Sequence, residues 1–278
     1  MMNFDYTKEP GRYLLNRGLR HDGVPLVSII TPYYNAGKYF EQTFNCVMNQ
    51  TFPWFEWIIV DDSSTKQDDY NLLLKFGRKD SRIKIYQKEN GGPSSARNYA
   101  IDRTNTDIII SLDADDLIDP TYVETTFWAL NTHPNAGWAY TDSIGFGQLQ
   151  YLWKVPFSSE KLKKENFLIE VGTIRKTALL KAGKYDDRQR YSHEDWRLWL
   201  QLLSTGYTPA HCSYYGAWYR RISNGAYNET LKDPEKVKNA ERCIAEVANR
   251  IQQEVPAIEY PTSTYAKMFN SPKASLWD

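Results

Sequence analysis

From residue 25 onward the chain alternates between short apolar runs and longer amphipathic stretches. Runs at Leu26–Thr31, Trp57–Asp61, Arg82–Gln87 and Asp107–Leu112 are rich in β-branched residues and bounded by turn formers, so they read as strands. The stretches between them, Gly37–Asn49, Asp68–Lys79 and Pro93–Arg103, read as helices, the last opened by Gly91-Gly92 with Pro93 suited to its first turn. The strands are apolar along their length rather than alternating, which predicts burial on both faces. Strand, helix, strand at this spacing predicts an α/β fold with a mostly parallel central sheet and helices on both faces.

After Asp119-Pro120 the pattern changes. Thr121–Asn131 reads as a helix, Gly137–Thr141 and Leu149–Lys154 as strands, and Thr177–Ala182 as a short helix stopped by Gly183. Ser192–Ser204 reads as a helix with Ser192 as cap, Asp195 at the capping-box position, and Trp196, Trp199, Leu200 and Leu203 on one apolar face. Asp233–Glu254 is a further helix with Pro234 at its start. The last segment, 255–278, is rich in Pro, Ser and Thr and reads as an extended surface arm. The implied organisation is an N-terminal arm (1–24), a strand-helix half (25–116), a mixed half (117–225), and a C-terminal helix and tail (226–278).

Composition narrows the function classes. With 34 basic and 34 acidic residues among 278, the chain has no net charge, which argues against nucleic acid as a partner. Three scattered cysteines, Cys46, Cys212 and Cys243, support neither a disulfide framework nor a zinc ribbon and fit a reducing, cytoplasmic setting. No apolar run approaches the roughly 20 residues that span a bilayer, and residues 1–23 lack the apolar core of a secretory signal. Any membrane contact is therefore expected to be peripheral, at the inner face.

Chemistry is expected where the strands end, since ligands of open parallel sheets sit beyond the carboxyl ends. Those ends carry Thr31-Pro32-Tyr33, Asp61-Asp62-Ser63-Ser64, Lys88-Glu89-Asn90-Gly91-Gly92 and Asp113-Ala114-Asp115-Asp116. Each alone is an ordinary turn or cap, but their convergence on one edge is what a ligand site requires. Two carboxylates at i and i+2, Asp113 and Asp115, supply oxygen ligands for a hard cation such as Mg²⁺ or Mn²⁺, which would be shared with a diphosphate. The other reading of that segment is a solvated acidic turn. GxGxxG after the first strand, GxxxxGK[ST] and GxSxG are all absent, which argues against a dinucleotide dehydrogenase, a P-loop NTPase and an α/β-hydrolase.

The ordered set Val27–Asn35, Gln50-Thr51-Phe52, Glu56–Ser64, Asn90-Gly91-Gly92 with Ala96-Arg97-Asn98, Asp113–Asp116 and Glu194-Asp195 closely resembles the family 2 glycosyltransferases of the GT-A fold, over about residues 25–222. The resemblance implies an inverting nucleotide-diphospho-sugar transferase, with donor binding in 25–116 and acceptor binding in 117–225. It places Thr31, Pro32, Tyr33, Asn35, Asp61, Asp62, Asn90, Gly91, Gly92, Arg97, Asp113 and Ala114 around the donor nucleotide, with Asp62 facing a uracil-type edge. Asp115, with Asp113, would ligate the divalent cation on the diphosphate. Asp195 would be the general base, with Glu194 beside it orienting the acceptor. A base opposite the leaving group is what an inverting transfer needs, because a hydroxyl attacks poorly until its proton is removed. From pattern alone, the plainer reading of Asp195 is as the capping-box partner of Ser192, and it is the resemblance that points to the base.

The acceptor is expected to be a glycan or lipid-linked oligosaccharide, the donor a UDP-sugar. Tryptophan is concentrated after residue 120, and Trp196, His193, Tyr219 and Arg220 are the candidate acceptor contacts. The family's histidine two positions beyond the arginine of a Tyr-Arg pair is replaced here by Ile222. A basic set, Lys161, Lys163, Lys164, Arg175, Lys176, Lys181 and Lys184, offers a surface for a lipid diphosphate or an anionic membrane, or simply a solvated face. Two rival functions remain open: a non-catalytic carbohydrate- or nucleotide-binding protein of the same fold, and a sugar nucleotidyltransferase, which should show a basic glycine-rich loop after the first strand.

Overall fold

The computed structural model describes residues 23–188, 193–222 and 232–260. The N-terminal arm up to residue 22, the Ser192 cap and the tail after residue 260 lie outside them. The first half runs β1 (Val27–Tyr33), α1 (Gly37–Met48), β2 (Phe55–Asp61), α2 (Gln67–Gly77), β3 (Ile83–Gln87), α3 (Pro93–Ile101) and β4 (Ile108–Ser111). There follow β5 (Leu117–Ile118), α4 (Tyr122–Thr132), β6 (Ala136–Gly147), β7 (Tyr151–Trp153), α5 (Ser159–Leu162) and β8 (Gly172–Arg175). The order closes with α6 (Lys176–Ala182), α7 (Glu194–Ser204), β9 (Thr208–Arg221), α8 (Pro234–Ala248) and β10 (Ile258–Tyr260).

One sheet takes up all ten strands in the order β10-β9-β6-β8-β4-β1-β2-β3, with β5 paired to β9 and β7 to β6. The pairs β1/β2, β1/β4, β2/β3, β6/β9 and β9/β10 are parallel. Antiparallel β8 sits between β4 and β6 and joins the two halves of the sheet. The period-2 pleat divides each central strand between two cores. Ile29, Trp57, Ile59 and Ile110 pack with Phe40, Phe44, Phe76 and Leu130 of α1, α2 and α4 on one face. Ile30, Ile58, Val60 and Ile109 pack with Ala96, Leu179, Leu198 and Val247 of α3, α6, α7 and α8 on the other. Each such side chain contributes about 1.5–3 kcal/mol by leaving water, so the strand ends are held on a rigid base.

The first four strands and three helices form where the pattern places them, within a few residues. β5, α5, β8, β9 and β10 were not anticipated, and β6 is 12 residues long rather than a short strand. The longest strand, β9, has 14 residues of sequence TPAHCSYYGAWYRR, without β-branched enrichment beyond its first residue. Its conformation is imposed by pairing with β6 along its whole length. α8 stops at Ala248, six residues short of the expected end. α7 begins at Glu194, after His193 in the left-handed region (φ 63°).

Candidate functional site

The carboxyl ends of β1, β2 and β4, the N-termini of α3 and α7 and the end of β9 meet at one edge of the sheet. At the end of β1 the pleat decides which side chains reach it. Thr31 is fully buried and accepts a hydrogen bond from Trp57 Nε1 at 2.9 Å. Tyr33 is equally buried, edge-on to Phe40 at 5.1 Å, and donates to the Asp69 carbonyl at 3.0 Å. Both side chains therefore belong to the core. Tyr34, which the sequence reading passed over, is the ring that emerges, 49% exposed. Pro32 is half-buried. Asn35 (φ 50°) acts as a bracket, its Oδ1 accepting from the Thr65 and Lys66 amides just before α2.

Asp61 and Asp62 also differ in use. Asp61 is buried and accepts from the Ser64 amide and Gln87 Nε2, which fixes the turn after β2. Asp62 gathers the next loop: its carboxylate accepts from the Gly91 amide (3.0 Å), the Gly92 amide (2.7 Å) and Lys88 Nζ (3.0 Å), while Asn90 Nδ2 donates to its carbonyl (2.8 Å). Gly92 is at φ 88°, a conformation that favours glycine. Its amide is at the positive end of α3, where a carboxylate is favoured.

Arg97 of α3 is the centre of the site. Only 1% exposed, its guanidinium reaches Asp113 Oδ1 through Nη2 at 2.5 Å, Glu194 Oε1 through Nη1 at 3.2 Å, and Glu170 Oε1 from Nε at 3.2 Å. Glu170, 5% exposed, was missed by the sequence reading because it lies in an irregular segment before β8 with no motif around it. Its Oε1 accepts from Ser111 Oγ (2.5 Å) and the Tyr185 phenol (2.6 Å). Burial, partly offset by Arg97, pushes its pKa up to about 8.

The Asp113–Asp116 segment is shaped from both sides. Thr43 donates to the Ala114 and Asp116 carbonyls. Arg220, sandwiched between the rings of Tyr39 and Phe146, donates through Nε to the Asp115 carbonyl (2.8 Å), and its own amide donates to Asp116 Oδ1 (2.7 Å). Arg220 is thus a buried prop of the acidic loop. Burial and the neighbouring Asp113 raise Asp115 to about 6, and burial with Asp115 and Asp113 raises Asp116 strongly.

Asp195 sits in the first turn of α7. Its Oδ2 accepts from Asn166 Nδ2 at 3.0 Å, and burial, with Glu194 next to it, raises its pKa to about 7. Trp196 is half-buried and donates to the Leu162 carbonyl at 2.6 Å. His193 stacks loosely on Trp196, and burial lowers its pKa. Tyr219 is near enough to Asp116 and Asp195 for both to raise its pKa, after burial. Trp138, Trp199 and Trp218 are core residues, Trp199 stacked on Trp138 and on the backbone of Gly172. The basic set is largely engaged within the protein: Lys161 with Glu165, Lys163 with Glu160, Lys184 with Asp102, and Arg175, Lys176 and Lys181 on backbone carbonyls.

Among the described residues no group of three or more His, Cys, Asp or Glu is arranged as a ready metal site. The donor set suits a hard cation only with ligands from elsewhere. The carboxyls of Asp113, Asp115, Asp116, Glu170, Glu194 and Asp195 outnumber the guanidiniums of Arg97 and Arg220, and the buried Asp116 Oδ2 has no hydrogen-bond partner among the described residues. Such a surplus fits a cation that arrives with a diphosphate. No helix among the described residues is long and apolar enough to cross a membrane.

The fold is of the GT-A type. S. aureus TarS (residues 1–349), crystallised with UDP, superposes with a TM-score of 0.63 at 22% identity, over 80% of this chain and 64% of that one. The mannosyltransferase PcManGT of Pyrobaculum calidifontis, in complex with GDP-Man and Mn²⁺, gives 0.56 at 15% identity, over 84% and 75%. The sequence model of Glycosyl transferase family 2 matches residues 28–187, and the chain belongs to that family. TuaG of Bacillus subtilis (strain 168), described as a putative teichuronic acid biosynthesis glycosyltransferase, is 30% identical over 217 residues, 76% of this chain and 85% of TuaG. An uncharacterized glycosyltransferase of Rickettsia bellii is 44% identical over 91 residues, and that match spans 33% of this chain and 13% of the Rickettsia protein.

Proposed function

We propose that this family 2 glycosyltransferase is an inverting enzyme that moves a sugar from a UDP-sugar to a hydroxyl of a glycan or lipid-linked acceptor. The observation that carries the reading is the juxtaposition at Arg97: one buried guanidinium joins Asp113, beside the acidic loop, to Glu194, beside Asp195. On this reading donor and acceptor chemistry meet around Arg97, with residues 25–116 assigned to the donor side and 117–225 to the acceptor side. Tyr34 offers a stacking face for the base, and Asp62 keeps acceptor capacity for a base N–H while it holds the Gly91-Gly92 loop. Asp115 and Asp113 would hold a divalent cation, Mn²⁺ or Mg²⁺, which when bound neutralises charge on the leaving diphosphate.

Asp195 removes the proton of the acceptor hydroxyl as that oxygen bonds to the anomeric carbon and the bond to the diphosphate oxygen breaks. A carboxyl raised to about 7 is suited to this, since it is ionised enough to act and basic enough to take the proton. Asn166 fixes its orientation. The test is a thermal-shift screen with UDP-GlcNAc, UDP-glucose, GDP-mannose and dTDP-glucose, with and without Mn²⁺, followed by NMR of the product's anomeric configuration. A Mn²⁺-dependent shift with UDP-sugars and an inverted product are expected. The absence of any shift with well-folded protein would sink the reading, and binding without turnover would favour the non-catalytic alternative.

A further inference from the structure

A carboxyl as buried as Glu170 costs stability unless something fixes it, and an apolar side chain would fill the same space without that cost. Here two hydroxyls, Ser111 Oγ and the Tyr185 phenol, donate to its Oε1, and Arg97 Nε faces the same oxygen at 3.2 Å as an ion pair without hydrogen-bond geometry. Tyr185 is itself held, because its amide donates to Asn98 Oδ1 (3.1 Å) while Asn98 Nδ2 donates to its carbonyl (2.9 Å). Its ring centre lies 5.2 Å from the Arg97 guanidinium carbon. A guanidinium is a rigid planar fork, so fixing its Nε edge and one face fixes where both Nη groups point. Those two groups are the ones that reach Asp113 and Glu194.

We propose that Glu170 is a positioning residue for the transfer reaction: through Arg97 it holds Asp113 and Glu194 in one geometry, so that the cation-binding loop and the base-bearing end of α7 are aligned together. The inference rests on the roles given above to Asp113, Glu194 and Asp195. Without Glu170 beside Nε the guanidinium is oriented by Asp113 and Glu194 alone, and the alignment of the acidic loop with the first turn of α7 loses its third point. A shift of about 1 Å in a reacting group can cost on the order of 100-fold in rate.

Turnover is measured as UDP released from UDP-GlcNAc by hydrolysis, and binding by UDP titration. Glu170→Met should lower kcat by about 10- to 100-fold and leave the UDP Kd within about threefold. In an Arg97→Lys background the same change should alter kcat by less than about twofold, because both substitutions act through one guanidinium. Tyr185→Phe, which keeps the ring and removes only the phenol bond, should show a smaller fall in kcat with the same non-additivity. It serves as the test if Glu170→Met does not fold. Effects that multiply in the double variants, or an unchanged kcat in Tyr185→Phe and in any folded Glu170→Met, overturn the proposal. A wild-type protein that binds no nucleotide and releases no UDP would instead bring down the transferase reading, and this inference with it.

Discussion

Replacing Asp195 by Asn separates chemistry from architecture more cleanly than any other change in the site. Asn is isosteric and can still accept from Asn166, so the first turn of α7 should keep its form. What disappears is the proton acceptor, and loss of a positioned general base lowers rates by roughly 10²–10⁴-fold. Donor binding should not change, since Asp195 belongs to the acceptor side. The raised pKa adds a second signature. With a value of about 7, wild-type kcat/KM should climb with pH and level off above neutrality; at pH 6 about a tenth of the carboxyl is ionised and about a tenth of the rate remains.

Stability should move the other way. Because the folded-state pKa lies above the ordinary 3.8, the stability linked to the bound proton is full at low pH and is lost as the pH rises through about 7. Asn never becomes charged, so above pH 7 the variant escapes that loss. A gain on the order of 1–2 kcal/mol is expected, after allowance for the side chain's partial exposure. The assays are initial-rate kinetics from pH 5.5 to 8.5 and thermal melts at pH 5 and pH 8, each on wild type and Asp195→Asn. A variant that retains activity within threefold, or a wild-type profile flat from pH 5.5 to 8, would show that Asp195 is not the base.

Other substitutions test the rest of the site. Tyr34→Ala should weaken UDP binding by about tenfold, the scale of one base–aromatic stack, without lowering the melting temperature. Tyr33→Phe should do the reverse, leaving UDP affinity intact and costing about 1 kcal/mol through the lost bond to the Asp69 carbonyl; isothermal titration and denaturant melts read the pair. Arg97→Met removes the shared partner of Asp113 and Glu194 and should destabilise by about 3–5 kcal/mol in urea unfolding at pH 7. At Gly172 a Cβ would come within 2.5 Å of Trp199 Cη2. Gly172→Ala should therefore cost about 1–3 kcal/mol in the same assay.

The first half of the sheet was legible because its strands are continuous apolar runs and its motifs lie directly at their ends. What the pattern does not reveal there is the pleat: Tyr33 and Tyr34 are adjacent and identical in type, and no pattern at a strand's last residues tells which ring turns outward. The half after residue 117 was harder for physical reasons. β9 mixes Pro, Gly, His and Cys, so its propensity is weak and its strand form comes from partners far away in sequence, Ala136–Gly147 in particular. Arg220 looks like a surface base in the sequence, yet its burial between Tyr39 and Phe146 depends on that distant pairing. Glu170 carries no local signal, since its partners Ser111, Tyr185 and Arg97 come from separate elements.

α3 is tied just before its start, where the Gly92 amide donates to Asp62, and at its middle, where Arg97 reaches Asp113 and Glu194 and Asn98 reaches Tyr185. A helix of fixed length between two such ties behaves as a ruler. One residue added or removed between Gly92 and Arg97 would rotate the arginine by about 100° around the axis and shift it by about 1.5 Å, pointing it away from all three carboxyls. The turn at 88–90 before the helix is held by the Lys88 amide on the Asp61 carbonyl and by Asn90 Nδ2 on the Asp62 carbonyl, and a change of length there leaves the spacing from Gly92 to Arg97 intact. In a library of insertions and deletions, the five steps from Gly92 to Arg97 should therefore be the least tolerant stretch of the donor half, less so than the more deeply buried strands β2 and β4 at their far ends.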